Sequence, residues 1–243
     1  MNASPMPPAD VDVSLDLVHR LVADQMPDLA DRRLRMLAHG WDNVMVRIGD
    51  ELIAPRTPPA DHGEAARALA AFLAALHVPA PDHAPRNPVR GIPLAGRAAR
   101  LADNLDRLGT RVDGHTVTRV FRAAAEAPAW DGAPVWLHGD LHPANILVHG
   151  GRVSAVIDFG DITAGDPATD LAVAWMLLPA DEHRAFWGTY AAASQHPADG
   201  ALRIRAHGWA LALSVAFLAH SADNPLMAGI GRRTLNAVMA DVA

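Results

Sequence analysis

No cysteine occurs in the 243 residues, so disulfides and cysteine nucleophiles are excluded and redox chemistry gives no guide to compartment. Lysine is absent as well: all 21 residues counted as Lys+Arg are arginine. Wherever a site needs a fixed positive charge, a guanidinium must supply it, and its reach and geometry at phosphates differ from those of an amine. Basic character is scarce overall. A formal net charge of -6 and a pI near 6.1 leave no general basic surface for nucleic acid. They suit a cationic small molecule better. Long hydrophobic runs are missing too, since the longest, Trp209 to Ala219, is too short to span a bilayer. The N-terminal MNASPMPPADVDVS has no basic segment leading into an apolar run, so no secretory signal is expected. Together these absences predict a cytoplasmic protein with no nucleic-acid or membrane partner.

What is present is concentrated between Trp136 and Asp170, WLHGDLHPANILVHGGRVSAVIDFGDITAGDPATD. Two short apolar runs, Asn145 to Val148 and Val153 to Ile157, flank His149-Gly150-Gly151, a hairpin signal. Such a hairpin holds Asp140 and Asn145, at the entry to its first strand, close to Asp158 at the exit of its second. Three oxygen-bearing side chains converging on one edge suit magnesium, which takes one or two protein oxygens and completes its octahedron with water and phosphate. Asn145 and Asp158 are the expected ligands. Asp140 precedes Asn145 by five residues, the spacing of a kinase catalytic loop in which an Asp accepts the proton of the attacking hydroxyl and an Asn binds metal. Two other readings compete. The acidic residues could merely cap turns, or His138 and His142 could begin a zinc site, although Pro143 and the intervening glycine argue against the helix such spacing needs.

HGDLHPANIL, VIDFGD and GDPATDLA together resemble the aminoglycoside phosphotransferase family, small-molecule phosphotransferases within the protein-kinase-like fold. The resemblance implies an α+β, two-lobe fold, with residues 1–60 a reduced N-lobe of one helix and short antiparallel strands, and residues 61–243 a mainly helical C-lobe. It implies Mg²⁺ together with ATP or GTP as phosphoryl donor, and a hydroxylated acceptor such as an aminoglycoside-like antibiotic. Asp140 becomes the base, His138 a support for the loop backbone, and Asp170 a brace for that loop. Acceptors that are cationic would favour an acidic pocket, for which Asp161, Asp166, Asp181 and Glu182 are the candidates.

Along the chain, a helix is expected from Ser14 to Met26, then strands over Arg33–Ala38, Asn43–Ile48 and Glu51–Ala54. Gly40 and Trp41 in the first turn stand where the family covers the nucleotide phosphates. A block of the usual N-lobe is missing after Ala54, leaving Arg56 as the nearest substitute for the basic residue on the third strand. His62 to His77 reads as one Ala/Leu-rich helix belonging to the C-lobe, with Glu64 a first-turn carboxylate favoured by the helix dipole. Under a rival alignment the same helix is regulatory and Glu64 pairs with the basic residue. Arg86 and Arg90, in the proline-rich stretch after it, could touch an anionic group, although solvated arginines are commoner. Helices follow at Ala95–Leu108, Val117–Ala127, Asp166–Leu178, Asp181–Ala193, Gly200–His220 and Leu226–Val242. The shortened lobe leaves an uncovered sheet edge and so predicts a homodimer. It also keeps open a second function, a catalytically degenerate kinase-like binding protein that has lost part of its nucleotide pocket.

Overall fold

Short polar side chains set where the helices begin. Ser14 accepts from the Leu17 amide at 3.2 Å and starts α1, Leu15–Gln25. Asp61 accepts from Glu64 at 2.9 Å and starts α2, His62–Leu76. Asp113, Asp199 and Asn224 do the same further on. Each satisfies one of the amides that the first turn leaves unpaired, a contribution of about 1 kcal/mol.

The computed structural model describes residues 14–25, 31–39, 44–48 and 59–242. The chain divides into two units, Met1–Ala54 and Pro55–Ala243. The first contains α1, with Val22 buried, and an antiparallel pair, β1 (Leu34–His39) and β2 (Val44–Ile48). Leu34 faces Ile48 and His39 faces Val44, with the register slipping between Met36 and Ala38. The strand expected over Glu51–Ala54 lies outside the described residues.

The second unit is mainly helical. After α2 come α3 (Ala98–Leu108) and α4 (Gly114–Ala125). Strand β3 (Val135–Leu137) pairs antiparallel with the later β6 (Thr163–Gly165), and between them lies the hairpin β4 (Ile146–His149) and β5 (Arg152–Val156). The remaining helices are α5 (Ala168–Leu171), α6 (Val173–Leu177), α7 (His183–Ala193), α8 (Gly200–His220) and α9 (Pro225–Ala240). The single helix expected from Asp166 to Leu178 is therefore two. Trp175 bonds back to Ala172 at 3.2 Å, a three-residue closure that interrupts the four-residue ladder. Helix α4 starts three residues before its expected position because Asp113 caps it.

Helix α8 is the pillar. Its 21 residues span roughly 32 Å at 1.5 Å per residue, and Trp209, Leu211 and Val215 are fully buried. A helix apolar on most of its circumference is enclosed by others; α3, α4, α5 and α9 pack around it. Helix α2 lies on α7, with Leu69, Leu73, Phe186 and Tyr190 fully buried. Helix α2 thus belongs to the helical unit, and Glu64 in its first turn pairs at 2.9 Å with Arg152 of β5. With Arg152 70% exposed, that pair adds a few tenths of a kcal/mol, about what exposed pairs give.

Candidate active site

The loop between β3 and β4 is pinned by its own backbone. Gly139 takes φ +83° and lies against the Asp161 carbonyl, where a Cβ would collide, so only glycine fits. The His138 ring then joins three segments. Its Nδ1 accepts from the Asp140 amide at 3.2 Å, while its Nε2 lies 2.9 Å from the Ile157 carbonyl. Both contacts are met by the neutral ring carrying its proton on Nε2. Because each nitrogen is engaged, His138 has none left for a metal, which removes the zinc reading.

Ile157 is also held from the other side, donating its amide to the Asn145 carbonyl at 2.9 Å. Asn145 and Asp158 are therefore brought beside one another through the residue between them. The Asn145 side-chain nitrogen donates to the Asp140 carbonyl at 2.9 Å, leaving the amide oxygen outside the hydrogen bonds made among the described residues. Asp158 has φ 66° and ψ 67°, the one described non-glycine residue at positive φ. A left-handed conformation costs an ordinary residue about 1–2 kcal/mol, and such strain gathers at functional sites. Phe159 follows, its ring 4.7 Å from that of His138.

Behind the loop lies a dry network. Asp170, fully buried at the start of the helical segment, accepts from the His138 amide at 2.7 Å and the Gly139 amide at 3.0 Å. His77, at the end of α2 and also fully buried, places Nε2 3.3 Å from Asp170 and Nδ1 2.8 Å from the Tyr190 hydroxyl. Burial raises the Tyr190 pKa to about 12, so this hydroxyl stays protonated.

In front of the loop the groups are charged. Asp140 Oδ1 lies 3.1 Å from an Arg90 nitrogen and Oδ2 lies 3.3 Å from His142 Nε2. Burial alone would raise its pKa. The hydrogen bond and charge of His142 and the guanidinium of Arg90 outweigh that and hold it at about 2. Arg90 and Arg86 also line a cleft of about 250 Å³, with Asn87, Trp130 and Asp166 among its other walls.

Four acidic residues were expected around an acceptor. Asp161 accepts from the Asn87 side chain at 3.0 Å. Asp166 is buried and receives two nitrogens of Arg205, at 2.7 and 3.3 Å, while its Oδ1 also caps Ala168. Asp181 and Glu182 sit on a 3-10 turn, Ala180–Glu182, where the Glu182 carboxylate lies beside Gly63 of α2. Of the four, Asp166 alone lines the cleft, and Arg205 already neutralises it. This cleft carries two arginines and one paired carboxylate on its walls. Gly40, Trp41 and Arg56, expected at the nucleotide, lie outside the described residues. Sequence reasoning had no means of finding His77, Tyr190 or Arg205, whose partners are 39 to 113 positions away.

The model of the phosphotransferase enzyme family matches residues 23–207. Among solved structures, the chain is similar to a choline/ethanolamine kinase family protein from Mesorhizobium loti, 20% identical, covering 93% of this chain and 79% of that one, with a TM-score of 0.51. It is also similar to the apoenzyme of macrolide 2'-phosphotransferase MphH from Brachybacterium faecium, 20% identical over 91% of this chain and 78% of that one, with a TM-score of 0.48. No curated protein matches. At these identities the likeness establishes the fold, which is kinase-like and α+β.

Proposed function

The chain belongs to the phosphotransferase enzyme family, and from that membership we propose that it transfers the γ-phosphoryl group of a magnesium-bound nucleotide, ATP or GTP, to a hydroxyl of a small molecule. The observation that carries this is the double hold on Ile157, by the Asn145 carbonyl and the His138 ring. It ties the segment that carries Asp158, at the exit of β5, to Asn145 on the loop that carries Asp140.

The donor set fits magnesium. The Asn145 amide oxygen and the Asp158 carboxylate are hard oxygen ligands, few enough to leave room for phosphate. No group of three or more His, Cys, Asp or Glu side chains is gathered for a metal among the described residues, and an ion shared with nucleotide phosphates does not need one. When bound, the ion neutralises charge on the phosphates.

The chain's own residues do the rest. Asp140, with its pKa near 2, is ionised throughout the working range and accepts a hydrogen bond from the acceptor hydroxyl. That aims an oxygen lone pair at the γ-phosphorus. As the new P–O bond forms, the bond to the β–γ bridging oxygen breaks, the nucleoside diphosphate leaves and the hydroxyl proton passes to Asp140. A carboxylate this acidic is a weak base, so most of its effect is orientation, as suits a loose transition state. His138 and Asp170 position the loop and touch no reactant.

The test is transfer of labelled phosphate from Mg-ATP and Mg-GTP to a panel of hydroxylated acceptors by the purified protein. Transfer that Asp140→Asn abolishes supports the reading, and none with any acceptor sinks it. The absence of lysine favours a second reading, a kinase-like binding protein that has lost its nucleotide affinity. Micromolar binding of Mg-nucleotide by calorimetry counts against that alternative.

A further inference from the structure

Along the cleft wall the cations Arg86 and Arg90 outnumber the acids, since the one carboxylate that lines it, Asp166, is already paired with Arg205. Arg90 has one carboxylate partner, Asp140, and its Nε is buried with no hydrogen-bond partner among the described residues. Arg86 lines the same cleft and makes no ion pair among the described residues. Arg97 lies just behind, 5% exposed, donating to the Val89 carbonyl at 3.3 Å and stacked over Trp209 at 5.5 Å, again with no carboxylate. Burial, and then the neighbouring charges of Arg90 and Arg100, bring its pKa down to about 10, the direction expected where cations crowd. Asp166, the buried acid in the cleft wall, is matched by Arg205. Of these three guanidiniums only Arg90 meets a carboxylate, that of Asp140, the group that must turn to the acceptor when the reaction occurs.

We propose that the acceptor is an anionic hydroxylated molecule of about monosaccharide size, carrying a carboxylate or phosphate that Arg86 and Arg90 hold in this cleft. The inference rests on the phosphotransferase reading above and adds the acceptor's chemical class. Guanidiniums bind such groups in pairs of parallel hydrogen bonds. The cleft, at about 250 Å³, lies below the roughly 300–1,000 Å³ typical of sites for drug-sized ligands, which suits one sugar ring and not an oligosaccharide. Arg90 gives the reason for the placement. The same side chain reaches both the cleft and Asp140 Oδ1, so an anion drawing on Arg90 brings its own hydroxyl to the carboxylate. The anion also replaces the negative charge that Asp140 loses on taking up the proton. A cationic acceptor would meet repulsion from both arginines.

Three probes share a pyranose ring and hydroxyls but differ in charge: glucuronate, glucose and glucosamine. Calorimetric titration of the full chain should rank them in that order, with at least about tenfold between glucuronate and glucosamine, the ratio a 1.4 kcal/mol difference produces. Arg86→Gln, at an exposed position that the fold does not depend on, should erase most of that preference. Glucuronate should bind alongside saturating Mg-ATP. The proposal is overturned if glucosamine binds as well as glucuronate, if none of the three binds, if Arg86→Gln leaves the ranking intact, or if Mg-ATP displaces glucuronate, which would assign the arginines to the nucleotide. Failure of the underlying reading is separately visible. Anion preference without any Mg-ATP binding refutes the transferase and keeps the anion site, whereas Mg-ATP binding without anion preference does the reverse.

Discussion

The loop between β3 and β4 is held from two sides that are built on opposite principles. Behind it, Asp170, His77, Tyr190 and the His138 ring are all fully buried, and each donor finds an acceptor. In front, Asp140 keeps 28% of its side chain exposed, and Arg90 and His142 carry buried nitrogens without partners among the described residues. A saturated network has one low-energy arrangement, because every unmade bond in a dry interior is costly. An unsaturated, partly wet cluster has several, and a ligand selects among them. The rear fixes where the loop stands, and the front leaves open what it meets.

Substitutions on the two faces should therefore fail in different ways. The largest effect expected is at the front: Asp140→Asn should lower kcat/KM about 10²–10⁴-fold, the range for a positioned acid or base, with a loss of Tm no greater than its depressed pKa implies. A large loss of Tm would mean that the front is structural after all. At the rear, Asp170→Ala strands the His138 and Gly139 amides and His77 in a dry pocket. It should cost about 3 kcal/mol in urea unfolding, in line with breaking a buried charged network. If it costs activity but no stability, the division between the faces collapses. Tyr190→Phe removes only one bond to His77 and should cost about 1 kcal/mol, with kcat/KM nearly unchanged.

The smallest effect is on pH dependence. Asp140 has a folded pKa of about 2 against an unfolded value near 3.9. Its contribution to stability is thus present above the unfolded value and lost as pH falls through the folded one. Arg90→Gln removes one of the two groups that depress it, so the acid limb of stability and of kcat/KM should move to higher pH. An unmoved limb would show that His142 alone controls the carboxylate.

Much of the scaffold was legible because its signals are local. The hairpin expected over Asn145–Val148 and Val153–Ile157 forms at Ile146–His149 and Arg152–Val156, and the helix expected at Gly200–His220 has those bounds. Turn glycines, caps and apolar spacing act within a few residues. The break at Ala172 escaped because both halves carry the same helical pattern and only packing separates them. At the site, the spacing of Asp140, Asn145 and Asp158 carried the expectation that they converge, and the Asn145 contacts to the Asp140 carbonyl and the Ile157 amide are consistent with it. It could not predict the surroundings. Arg90 reads as an ordinary solvated arginine until the chain folds back over 50 residues to Asp140, and Asp166 reads as a candidate ligand until Arg205 meets it.

The sequence by itself determined the family, the hairpin and the chemical types arranged along the loop, because those depend on short-range geometry that the backbone enforces. Only the tertiary structure decided which charges are matched and which are left over. That balance is the sum of contacts between segments distant in the chain, and burial, which no residue carries in its own spacing, sets the weight of each.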